Sequence, residues 1–196
     1  MKVTQIRKNK NMLDLNFDDG SVLTVYEEDY YRMSLYDKDE FTDDDIRELK
    51  YITDGKWARA YAIKLILYKK RTKKEIEEKL IDKDIEIGII DDVIKNLEKD
   101  GYLNDLLYAE KLIQKLRLKN KSKKQVEVEF KLRGIDYLKE IIDTYESDEA
   151  VAGELFLKKF GDKDLKDEKT RFKVYNFFRS KGFSNDTIKK FLLLDR

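Results

Sequence analysis

The sequence predicts a mainly α-helical chain: three tandem three-helix repeats forming a curved helical array, preceded by a small β-hairpin or meander with short helices. Three observations carry that expectation. None of the 196 residues is proline, so no position loses the backbone N–H that a helix needs. One short template recurs three times in the C-terminal two-thirds. Before it, apolar and polar residues alternate around an Asp-Gly pair.

The β element comes first. Val3 and Ile6 are followed by Met12-Leu13-Asp14-Leu15-Asn16-Phe17, which alternates in part. Asp18-Asp19-Gly20 supplies a residue free to take positive φ, and Val22-Leu23-Thr24-Val25-Tyr26 follows. Residues 28–36 read as a short helix. Thr42 begins another, with Asp43, Asp44 and Asp45 in its first turn, where carboxylates suit free N–H groups and the helix dipole. This first segment is taken as residues 1–55.

From Lys56 the pattern is helical. Tyr61, Ala62, Leu65 and Ile66 share a face, as do Ile87, Ile90, Val93, Ile94 and Leu97, and again Tyr108, Ala109, Leu112, Ile113 and Leu116. The template lies beneath this. Thr72 precedes Ile76, Leu80, Asp84 and Ile85; Ser122 precedes Val126, Phe130, Gly134 and Ile135; Thr170 precedes Val174, Phe178, Gly182 and Phe183. Ser or Thr caps a helix, apolar residues four apart line one face, and Gly or a tolerant Asp ends it in the left-handed region. With a helix before and after each copy, the repeats fall at 56–103, 104–146 and 147–196.

Gly101-Tyr102-Leu103-Asn104-Asp105, followed by Tyr108-Ala109, resembles the segment joining the first two repeats of RecX-family proteins, regulators of the bacterial recombinase RecA. The order of repeats matches, and the β element with its acidic helix is similar to the longer members. Asp84 departs from the usual Gly, and Asn104 stands where Asp is more usual. The motif reads as structural: Gly101 ends a helix, Tyr102 and Leu103 pack between repeats, and Asn104 or Asp105 caps the next helix. The resemblance implies a protein that binds RecA and its nucleoprotein filament. It further implies inhibition of filament assembly, ATPase, strand exchange and co-protease activity, which modulates recombination, DNA repair and the SOS response. It implies no cofactor.

The residues themselves argue against catalysis. The chain has no Cys and no His, which removes thiol nucleophiles, imidazole bases and the commonest metal ligands. No phosphate-binding glycine motif is present. Asp43-Asp44-Asp45 reads as a solvated helix start rather than a metal site. No stretch is apolar enough to span a bilayer and the N-terminus has no apolar core, so a soluble cytoplasmic monomer is expected.

Charge is segregated although the formal net is only +1. Residues 14–54 hold 14 acids against 4 bases; residues 111–133 hold 9 bases against Glu127 and Glu129. Lys69, Lys70, Arg71, Lys73 and Lys74 surround the first template cap. Arg117, Lys119, Lys121, Lys123 and Lys124 surround the second, with Arg133 at its far end. Stacked repeats would align these as a basic stripe. Such a stripe, with a helix N-terminus in it, can hold phosphates or an acidic protein surface, and lysine runs are also ordinary solvated surface. The alternative to a RecA-binding regulator is therefore a helical nucleic-acid-binding module acting through its basic face, or a regulator with weak direct DNA contact. The aromatic stripe Phe172, Tyr175, Phe177, Phe178 reads as core, and Trp57 as packing.

Overall fold

In the computed structural model, residues 1–192 are described. Three antiparallel strands, β1 (Val3–Asn9), β2 (Met12–Phe17) and β3 (Val22–Tyr26), form a meander in that order. The Asp-Gly turn forms as expected: Gly20 takes φ +83°, and Asp19 Oδ1 accepts from the Ser21 amide at 2.8 Å. The expected helix over 28–36 breaks in two. Helix α1 covers Glu27–Arg32, Ser34 turns left-handed at φ 52°, and a single 3-10 turn follows at Leu35–Asp37. The break lets Tyr30 and Leu35 both enter one core with Leu15, Phe17, Val25 and Phe41.

Helix α2 runs unbroken from Asp43 to Tyr68. The expected boundary at 55/56 therefore lies inside a helix, and the acidic segment and the first repeat share one rod. Its start is a capping box: the Asp45 amide donates to Thr42 Oγ1, and the Thr42 amide donates to the Asp45 carboxylate at 2.7 Å. Nearer the middle, Lys56 Nζ reaches Asp29 at 2.8 Å, and Arg32 reaches it at 2.6 Å. Asp29 is 1% exposed. Burial alone would raise its pKa, yet the hydrogen bonds from Lys56 and Arg32 hold it below the usual carboxylate value.

The remaining helices are α3 (Lys73–Ile81), α4 (Ile87–Lys99), α5 (Asp105–Leu118), α6 (Lys123–Leu132), α7 (Lys139–Asp143), α8 (Asp148–Phe160), α9 (Glu168–Ser180) and α10 (Asn185–Leu192). They group as the three expected triplets: α2–α4, α5–α7 and α8–α10. The template positions behave alike. Ile76, Leu80, Val126, Phe130, Val174 and Phe178 are all fully buried. Asp84, Gly134 and Gly182 end α3, α6 and α9 with φ of 57°, 66° and 91°.

The chain forms two compact units, residues 1–69 with 76–103, and residues 70–75 with 104 onward. The first holds the sheet core and a second cluster around Ala58, Ala62, Ile66, Ile76, Leu80 and Leu97. The second has one continuous core through the α5–α7 and α8–α10 triplets, where Phe156, Phe178 and Phe191 stack.

Two predictions follow from the first unit. Lys56→Ala leaves a buried carboxylate with one cation instead of two and should cost about 2 kcal/mol, below the range for a fully broken buried pair because Arg32 remains. Chemical denaturation reads this. Asp45 is held at about 2 by the hydrogen bonds from Lys38 and Thr42. A depressed carboxylate contributes stability above its unfolded value of 3.8 and loses it as pH falls toward 2. Carboxyl NMR titration should find that midpoint, and Lys38→Ala should move it up.

Candidate functional site: a lysine cluster on closed helix starts

The template caps lie where the elements of the second unit meet. Thr72 Oγ1, fully buried, accepts from the Glu75 amide at 3.3 Å and donates to the Arg133 carbonyl at 2.9 Å. The Lys73 amide donates to Asp105 Oδ1 at 3.0 Å. The start of α6 repeats the arrangement. Ser122 Oγ accepts from the Gln125 amide, the Lys123 amide donates to Asp148 Oδ1 at 2.7 Å, and the Ser122 amide donates to the Lys181 carbonyl at 3.2 Å.

Each helix start is thus closed by an aspartate from the first turn of a later helix and by the turn that precedes a glycine. The turn must come close. A Cβ on Gly134 would lie 2.5 Å from Lys74 Cδ, and one on Gly182 would lie 2.7 Å from Ser122 Oγ. Gly101 takes φ +76° with nothing near it, so there only the conformation asks for glycine. Asp84 has an exposed side chain and tolerates the left-handed turn, which explains its departure from glycine.

These contacts correct two expectations. The starts of α3 and α6 are not open to phosphate, because Asp105 and Asp148 already occupy their donors. In the third copy the cap is Asp167, whose carboxylate accepts from the Lys169 and Thr170 amides, so Thr170 lies inside α9.

The joining motif is built as structure. Gly101 ends α4 in the left-handed region, and Leu103 is buried in the first unit's core. Tyr102 is partly exposed, with the Arg59 guanidinium over its ring at 5.8 Å. Asn104 caps α5 through the Leu107 amide, while Asp105 turns back to Lys73. Tyr108 accepts from Arg133 Nε at 3.2 Å, and Ala109 is fully buried.

The candidate basic residues separate into two groups. Several work internally. Arg133 bonds Glu129 and Tyr108; Arg117 bonds the Thr144 carbonyl and lies over Tyr145; Lys123 pairs with Asp143 at 3.0 Å; Lys74 packs its stem on Gly134. Arg71 and Lys73 are half-buried, whereas Lys69, Lys70 and Lys124 are exposed.

Lys119 and Lys121 belong to a cluster that sequence reasoning only half found. Lys181 Nζ donates to the Lys119 carbonyl at 2.8 Å, and Lys159 Nζ lies 4.1 Å from the centre of the Phe177 ring. Burial lowers the Lys181 pKa, and the charges of Lys121, Lys159 and Lys119 lower it further. Among the described residues, no carboxylate pairs with any of these four lysines. Lys181 had a signal in the sequence: a base precedes the turn residue in all three copies, as Lys83, Arg133 and Lys181. Lys159 had none. Phe177 and Tyr175 pack against the core, Phe178 is fully buried, and Phe172 is exposed. Trp57, 39% exposed, stacks on Tyr61 at 5.1 Å.

Among the described residues there is no group of three or more acids that could hold a metal ion, and no helix is long and apolar enough to cross a membrane. Fold and surface together define a helical-repeat protein that presents, among the described residues, a group of lysines without carboxylate partners.

Comparison with known proteins specifies the kind. Residues 58–97 match the model of the first three-helix domain of RecX, and residues 146–192 that of the third. The chain thus carries two segments that match three-helix domains of the RecX family. It is 29% identical over 189 residues to the regulatory protein RecX of Streptococcus sanguinis strain SK36, covering 94% of this chain and 73% of that protein. It is 32% identical over 114 residues to RecX of Streptococcus gordonii, covering 58% of this chain and 44% of that protein. A crystal structure of regulatory protein RecX shares the fold at a TM-score of 0.61 and 20% identity, covering 96% of this chain and 97% of that one. RecX from Lactobacillus salivarius does so at 0.56 and 23%, covering 70% and 93%.

The two kinds of glycine should separate in stability. Gly101→Ala should cost about 1 kcal/mol for the left-handed backbone alone. Gly182→Ala, which adds a clash to the same strain, should cost about 3 kcal/mol. Urea unfolding of the two variants measures the difference.

Proposed function

We propose that this chain binds RecA and its nucleoprotein filament and restrains filament assembly, with loss of the ATPase, strand-exchange and co-protease activities that depend on it. The protein acts by binding, without catalysis or cofactor. Kinship with proteins named RecX supports the reading, and the single structural observation behind it is the four-lysine cluster left without carboxylates. Cations gathered at one place repel each other, and an anionic partner relieves that repulsion. A chain presenting several domains to a repetitive filament also gains from effective concentration.

The test is the single-strand-dependent ATPase of the cognate RecA, with this protein titrated in at physiological salt. Substoichiometric inhibition is expected. Lys119→Glu, Lys121→Glu and Lys159→Glu together should weaken inhibition roughly tenfold, about 1.4 kcal/mol, with helical circular dichroism unchanged. Higher salt should weaken the wild type more than the variant. Unchanged inhibition by the folded variant removes the cluster from the mechanism. Tight DNA binding that survives physiological salt without RecA would instead favour a nucleic-acid-binding module.

A further inference from the structure

The outer edge of β3 lines an open groove in the first unit. An antiparallel ladder alternates residues that exchange hydrogen bonds with residues that do not. The pair beyond one end of the β2–β3 ladder is bonded, Phe17 N–H to the Ser21 carbonyl, and so is the pair beyond the other, Glu27 N–H to the Asn11 carbonyl. With Leu15 opposite Leu23 and Leu13 opposite Val25, the bonded positions on β3 are 23 and 25. Val22 and Thr24 therefore point their N–H and C=O away from β2. Among the described residues no backbone partner takes them.

Both residues line a cavity of about 550 Å³. Its opposite wall is one face of α2, formed by Ile46, Lys50, Asp54 and Trp57. Asp54 is half-buried, and it makes no hydrogen bond or ion pair among the described residues. Burial raises its pKa. Trp57 keeps 39% of its surface exposed beside it. The other edge of the sheet is protected differently. Exposed β1 carries Arg7 and Lys8, and Lys2 is bridged to Glu40. Charges on an edge strand discourage pairing. The β3 edge has none: Val22 is 57% exposed, and Thr24 is exposed too.

We infer that this groove docks an extended segment of a partner protein, which adds a strand to β3 by pairing with Val22 and Thr24. The unpaired donors and acceptors two residues apart call for another backbone, not a helix or a small molecule. An apolar side chain of the segment lies against Trp57. A lysine or arginine of the segment meets Asp54, and an acidic residue of the segment meets Lys50 or Lys83, the other charged groups of the lining. The inference stands apart from the RecA reading, since it needs neither the lysine cluster nor a filament.

The experiment uses the full chain and a displayed library of short linear peptides. Enriched peptides should alternate β-forming residues and carry a base together with an acid. In amide hydrogen exchange, Val22 and Thr24 should exchange freely in the unbound chain and become protected with the selected peptide. Thr24→Pro removes an outward N–H that the ladder does not use, so an edge strand tolerates it. It should weaken peptide binding at least about tenfold, one lost backbone hydrogen bond with its partner stranded. Asp54→Lys, on the helix wall and away from the strand, should do the same while leaving the melting temperature near wild type. Failure to enrich any peptide over a scrambled library overturns the inference. So does binding without protection at Val22 and Thr24, or binding unaffected by Asp54→Lys.

Discussion

An α-helix begins with N–H groups that its own turns cannot satisfy. At α3 and α6 those donors are met by Asp105 and Asp148, each from the first turn of a later helix. The rest of the second unit is arranged around that closure. Asn104 and Ser147 must cap their own helices so that the neighbouring aspartates are free to turn back. Gly134 and Gly182 must lack a Cβ so that the preceding carbonyls can reach Thr72 and Ser122. The joining motif therefore holds helices in register, with Asn104 accepting from the Leu107 amide and Asp105 from the Lys73 amide.

That closure also decides what the basic segments can do. The starts of α3 and α6 are filled, and Arg117, Lys123 and Arg133 are engaged by the Thr144 carbonyl, Asp143 and Glu129. Besides the exposed Lys69, Lys70 and Lys124, the proposed partner surface rests on Lys119, Lys121 and Lys159, whose charges all act on Lys181. Lys181 is anchored on the Lys119 carbonyl, and Lys159 rests on Phe177. Charge gathered in this way favours specificity and fast association with an anionic partner.

The first unit solves a different problem. A three-stranded meander with one apolar face must bury that face against another element. An apolar core that includes Phe41 and Leu49 covers it, and the helix that follows β3 is tied to α2 by Asp29, which gathers Lys56 and Arg32. Packing one face of the sheet leaves its two edges to be managed separately. β1 is charged, and β3 opens on a groove.

The helical class, the three copies of the template, their buried positions and the Asp-Gly hairpin were legible in the sequence. Each is a local matter of periodicity, capping and backbone preference. Ile76, Phe130 and Phe178 could be named as core from their spacing alone. What only the tertiary structure decided are the pairings between distant residues. Asp105 belongs to Lys73 rather than to its own helix. Two equivalent glycines are demanded by close approach, while Asp84 is not. Lys159 and Lys181 complete a cluster begun by Lys119 and Lys121. Residues 193–196 of the third repeat lie outside the described residues. Periodicity reports which face of an element is buried, but carries no information about what lies against it. That depends on how separate elements meet in space, and there the function of a charged residue is settled.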